Sequence, residues 1–72
     1  MHKVFEVAPR RGAWDIRHNQ VGFRHFQSKR EAIRVAILLG RMQLRMGDDA
    51  EVIVQDDQGA PQTHRHISAQ HA

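Results

Sequence analysis

Apolar residues recur along this chain with two different periods, and the change of period marks the elements. Val4-Phe5-Glu6-Val7-Ala8 is a short apolar-rich run, read as a first strand that Pro9 stops, with Pro9-Arg10-Arg11-Gly12 as its turn. Residues 13–18 alternate, placing Trp14 and Ile16 on one face and Asp15 and Arg17 on the other. Asn19-Gln20 reads as a second turn. Residues 21–26 then set Val21, Phe23 and His25 opposite Gly22, Arg24 and Phe26. Three strands so close in sequence are expected to form an antiparallel meander.

The period then changes to that of a helix. Ser28-Lys29-Arg30-Glu31 has the form of a capping box, in which the serine hydroxyl accepts from the Glu31 amide and the glutamate reaches back. Behind it runs Ala32-Ile33-Arg34-Val35-Ala36-Ile37-Leu38-Leu39, without proline, and Gly47 supplies a stop near Met46. Two acids follow, which the negative end of a helix disfavours. At 100° per residue, Ile33, Ala36 and Leu39 form the expected core stripe. Gly40 falls on the same apolar side and reads as close approach to a sheet rather than a break.

Glu51-Val52-Ile53-Val54-Gln55 is a fourth strand, and Asp56-Asp57-Gln58-Gly59 a hairpin turn in which Gly59 takes positive φ. Residues 62–67 form a fifth strand, so polar that it belongs at an edge. The expected fold is α+β, in the order βββαββ, with one mainly antiparallel sheet and a single amphipathic helix packed on one face. A right-handed crossover would bring the fourth strand parallel to the first, for a spatial order 3-2-1-4-5. Residues 1–67 form one domain and residues 68–72 a flexible tail.

Composition narrows the function classes. With 72 residues there is room for one small core, and burial of a further apolar face against a second copy would add stability. Cysteine is absent, so neither disulfides nor thiolate metal ligands are available. No signal-like apolar run opens the chain, and the longest one, residues 35–39, is too short to span a bilayer; a cytoplasmic location without membrane contact is expected.

The net charge of +3 conceals a division. Through Gly47, ten Lys and Arg face three acids, a local +7; from Asp48 onward five acids face Arg65 alone, a local −4. Arg30, Arg34, Arg41 and Arg45 fall within about 60° of one another on the helix, an arginine ridge on the solvent side. The remaining helix surface is more apolar than one sheet face requires, and Val35, Leu38 and Met42 form the surplus flank expected to serve self-association. Arg17 and Arg24 are expected on the sheet face away from the helix. With Arg10 and Arg11 at the turn they are the candidate phosphate contacts. Trp14, beside Ile16, reads as core, although a sheet tryptophan near arginines can also stack on a base.

Catalytic chemistry finds little support. Ser28 is committed to a cap and Ser68 lies in the tail, so no nucleophile is apparent and no enzyme activity is expected. His64-x-His66, with His71 close behind, falls short of the three or four ligands a zinc site wants. No metal, cofactor or small-molecule substrate is inferred.

Taken in order, Val7-x-Pro9, Gly12-x-Trp14-x-Ile16, Ser28-Lys29-x-Glu31-Ala32-Ile33, Glu51-Val52-Ile53-Val54 and Asp57-x-Gly59…Gln62 resemble a family of small bacterial proteins. Its members show V-x-P…G-W-x-V, T-K-x-E-A-I, E-L-V-I-H and D-G-x-I-Q over the same span. The resemblance implies a βαβ-containing fold and no established activity. The chain departs from that pattern at Gln55, where histidine is usual, and in its Asp57-Gln58-Gly59. A second likeness covers Gly12 to Ala32 only and is similar to the arm-type DNA-binding domain of tyrosine recombinases. It implies a three-stranded sheet lying against DNA with Arg17 and Arg24 facing it; the hairpin of residues 51–67 is outside that pattern. Two readings follow: a protein–protein interaction or homodimerisation module, and alternatively a nucleic-acid-binding module using a basic sheet face.

Overall fold

The computed structural model describes residues 2–68; of the expected tail, residues 68–72, all but Ser68 lie outside the described residues, His71 among them. The chain runs β1 (His2–Arg10), β2 (Ala13–His18), β3 (Val21–Phe26), α1 (Lys29–Arg45), β4 (Asp49–Gln55) and β5 (Pro61–Ile67). All five strands join one sheet in the order β3-β2-β1-β4-β5. The β1–β4 pair is parallel and the other three are antiparallel. The expected fold and strand order are therefore both present.

Two tight turns build the meander. Arg11 and Gly12 have φ of 49° and 80°, and Asn19 and Gln20 have φ of 54° and 66°. Positive φ at both central residues matches the twist of the flanking strands. Pro9 does not stop β1, which continues to Arg10 and pairs Pro9 with Trp14. It is tolerated because β4 partners β1 only as far as Val7–Val54, so Pro9 lies beyond the stretch paired on both sides.

The helix is closed at both ends as its sequence implies. Ser28 Oγ accepts from the Glu31 amide at 3.3 Å. At the other end the Asp48 amide donates to the Gln43 carbonyl at 2.8 Å and the Gly47 amide to that of Leu44 at 3.0 Å, with Gly47 at φ 89°. This is the paired Schellman arrangement.

The helix meets the sheet along Ala32, Ala36 and Gly40, not along Ile33, Ala36 and Leu39. Small residues at i, i+4 and i+8 let the helix axis come close, so the larger Ile33, Val35, Ile37, Leu39 and Leu44 straddle the contact as half-buried flanks. A Cβ placed on Gly40 would stand 2.5 Å from Ile67 Cδ1, which shows how near the strand lies. Beneath the helix, Phe5, Val7, Ile16, Ala50, Val52, Val54 and Ile67 complete the core.

Candidate functional site

Cross-strand partners share a sheet face, so register assigns every strand side chain to the helix side or the open side. A β-bulge between β2 and β3 decides the most. Unbroken two-residue hairpin register would pair Asp15 with Arg24. Instead the register slips at Ile16/Arg17, giving Asp15–His25, Ile16–Arg24 and Trp14–Phe26. The extra residue carries Phe26 to the face of Trp14, against the core, and turns His25 to the open side.

Arg24 consequently shares the helix side with Ile16, its guanidinium 6.0 Å from the Phe26 ring centroid. Arg17, paired with Glu6 and Gly22, stays on the open side. The expectation that Arg17 and Arg24 share the exposed face is thus corrected: the bulge separates them. Arg11 sits exposed in the β1–β2 turn. Arg10 is engaged, its Nη1 3.3 Å from Asp15 Oδ2, while His25 Nδ1 donates to Asp15 Oδ1 at 2.5 Å. Asp15 is only 1% exposed. Gly22 lies over it, where a Cβ would come within 3.1 Å of Oδ2.

Further along the open side, His2 and His64 each bond one oxygen of the Glu51 carboxylate through Nε2. These bonds, that of His2 first, hold the carboxyl below the usual glutamate range. The His2 and His66 rings meet edge to face at 6.0 Å. Among the described residues no group of three or more His, Asp or Glu is arranged to hold a metal ion. The open side therefore mixes Glu6, Asp15, Asp49 and Glu51 with Arg10 and Arg17, and it is not a basic platform.

Trp14 is half-buried at the edge of the core, and Lys29 Nζ lies 4.9 Å from its ring centroid while donating to Gln62 Oε1 at 2.7 Å. Lys29 thus covers part of the ring, which also borders a pocket of about 310 Å³ with Pro9, Gly12, Ala13 and Asp57.

The two flanks of α1 differ in character. Ile37, Arg41 and Leu44 share a cleft of about 170 Å³ with Arg65, His66 and Ile67 of β5. The opposite flank, with Leu39, Met42 and Met46, turns toward β3. On that side a groove of about 400 Å³ is lined by Lys3, Phe5, His18, Val21, Phe23 and Gln43. Phe5 packs edge to face on Phe23 with centroids 6.4 Å apart, and His18 Nδ1 donates to the Val4 carbonyl at 3.1 Å. The side-chain oxygen of Gln43 is buried and accepts no hydrogen bond within the described residues. Val21 and Phe23 of its lining are 65% and 44% exposed, and Met42 and Met46 on this flank of α1 are 54% and 72% exposed.

The trio Val35, Leu38 and Met42 lies on one flank of α1 as i, i+3 and i+7 neighbours. Val35 packs half-buried against the core, Leu38 and Met42 are exposed, and Leu38 also borders Arg34, Ile37 and Arg41. The role of β3 is absent from the sequence reading, although Val21 and Phe23 on a short strand were visible. What locates them at an exposed edge is the strand order.

The arginine ridge is present as expected: Arg30, Arg34, Arg41 and Arg45 are all exposed. Among the described residues none of the four is ion-paired with a carboxylate. No helix among the described residues is long and apolar enough to cross a membrane. Comparison with protein families, curated proteins and solved structures returns no match to this chain.

Proposed function

We propose that the protein is a protein–protein interaction module whose partner surface is the β3 side of α1, with a second copy of the chain as the occupant. The observation that carries this reading is the groove between α1 and β3. It is apolar, Val21 and Phe23 of its lining are exposed, and Met42 and Met46 lie exposed on the same flank of α1. Contiguous exposed apolar surface at one side of a small chain is the usual mark of a contact site. Two exposed methionines on the same flank suit such a surface, because the unbranched thioether adapts to what it covers. A two-fold arrangement would let each copy cover the other's groove, the commonest form of homo-oligomer.

Light scattering over a concentration series tests this directly. A dimer is expected, converted to monomer by Phe23→Glu or Met42→Glu with the circular-dichroism spectrum unchanged. Leu38→Glu, one turn before Met42 at the outer margin of the same flank, should weaken the dimer less than Met42→Glu does. A monomer at millimolar concentration, or a dimer indifferent to Phe23→Glu and Met42→Glu, would sink the reading.

A further inference from the structure

On a different surface, we infer that the β5-facing side of α1 docks the phosphate backbone of double-stranded nucleic acid. Arg30, Arg34, Arg41 and Arg45 share one arc of the helix, and the first and last are separated by about 22 Å along its axis. Arg65 reaches the same side from β5 across the cleft with Arg41. Five guanidinium groups thus border one surface, with no lysine among them. The planar fork of arginine suits phosphate oxygens better than a point charge does.

Three of the acids are held in bonds elsewhere. Asp15 is bound by His25 and Arg10, Glu51 by His2 and His64, and Asp56 accepts from the amides of Gln58 and Ala60 within its own turn. Glu31 lies at the margin of the ridge, three residues before Arg34, and forms no ion pair with it among the described residues. A face with five guanidinium groups and one acid at its margin attracts a polyanion, and each neutralised phosphate releases counterions.

The chain's larger rings argue for duplex rather than single strands. Trp14 lies under Lys29, Phe26 under Arg24, and Phe5 and Phe23 border the groove on the opposite flank. The arginine face therefore has no tryptophan or phenylalanine on which bases could stack, which single-strand recognition relies on. A convex helix with a ridge of forks fits a backbone presented on a regular duplex.

The test is a titration of a fluorescent mixed-sequence DNA duplex over a range of salt concentrations, with the same strand alone and phosphatidylserine vesicles as parallel probes. The expected slope of log K against log salt is about −4 for four to five phosphates per chain. Replacing Arg34 and Arg41 together by Gln should reduce that slope by about 2, while Arg10→Gln with Arg17→Gln leaves it unchanged. Running the series also on Phe23→Glu keeps the slope a per-chain quantity and separates this surface from the β3 side. Thermal melts confirm that each variant is folded. No binding at low salt, a slope indifferent to Arg34 and Arg41, preference for the single strand, or binding of vesicles in place of duplex would each overturn the inference.

Discussion

At the scale of single residues, Gly40 and Glu51 show how local chemistry acquires meaning from a distant neighbour. Gly40 costs helix propensity, and alanine there would recover about 1 kcal/mol were the space free. It is not free, because Ile67 Cδ1 stands where the new methyl would go. Gly40→Ala is therefore expected to be close to neutral alone, yet to stabilise an Ile67→Val background by about 1 kcal/mol. Urea denaturation of the four proteins measures the coupling, and equal effects in both backgrounds would refute it. Glu51 has a lowered pKa, caused first by the bond from His2 and then by that from His64. Its contribution to stability is present above the unfolded glutamate value of about 4.3 and is lost as pH falls through the lower folded value. The urea midpoint of Glu51→Gln should thus lie below that of the parent at neutral pH and converge with it in acid; a gap that persists in acid contradicts the assignment. In the sequence Gly40 was legible as a close approach, since it falls on the apolar side of the wheel. Nothing placed His2 beside Glu51, because 49 residues of chain separate them.

At the scale of elements, the helix was the most legible part of the chain because its signals are local. Ser28, Glu31 and Gly47 set its limits through bonds spanning three to five residues. Ser28→Ala should cost about 1 kcal/mol through the lost cap, and Gly47→Ala about 1–2 kcal/mol, because alanine would be forced to positive φ. Thermal or urea unfolding checks both, and an unaffected Gly47→Ala would mean that the Schellman closure contributes nothing. The strands were less legible where register is concerned. Alternation alone put Phe26 with Arg24 on the open side, and a one-residue bulge at Phe23 and Arg24 reversed both outcomes. A bulge satisfies packing, here of Phe26 against Trp14, and that demand comes from the core rather than from β3 itself. The helix stripe was misplaced for a related reason. Hydrophobicity favoured Ile33 and Leu39, whereas contact distance favoured Ala32, Ala36 and Gly40, the smallest residues on that side.

At the scale of the whole molecule, α1 divides the surface into two territories. Toward β3 lie the groove with Val21 and Phe23, and the exposed Met42 and Met46; toward β5 lie the arginine ridge and Arg65. Because the two lie on opposite flanks without shared side chains, Phe23→Glu and the Arg34, Arg41 pair should act independently in a combined variant. The basic sheet face expected from Arg10, Arg11, Arg17 and Arg24 does not assemble. Arg10 is bound to Asp15, Arg24 has crossed to the helix side, and Glu6 and Glu51 stand among the rest. What the sequence determined by itself was the set of elements, the limits of the helix, the strand order and the ridge of arginines. Each follows from periodicity, capping or turn chemistry acting over a few residues, or from the handedness of a single crossover. Only the tertiary structure decided which face each arginine occupies, which acids are sequestered, and that Val21 and Phe23 border an apolar groove. Those outcomes depend on register and on pairs far apart in the chain, where packing against the core outweighs local alternation.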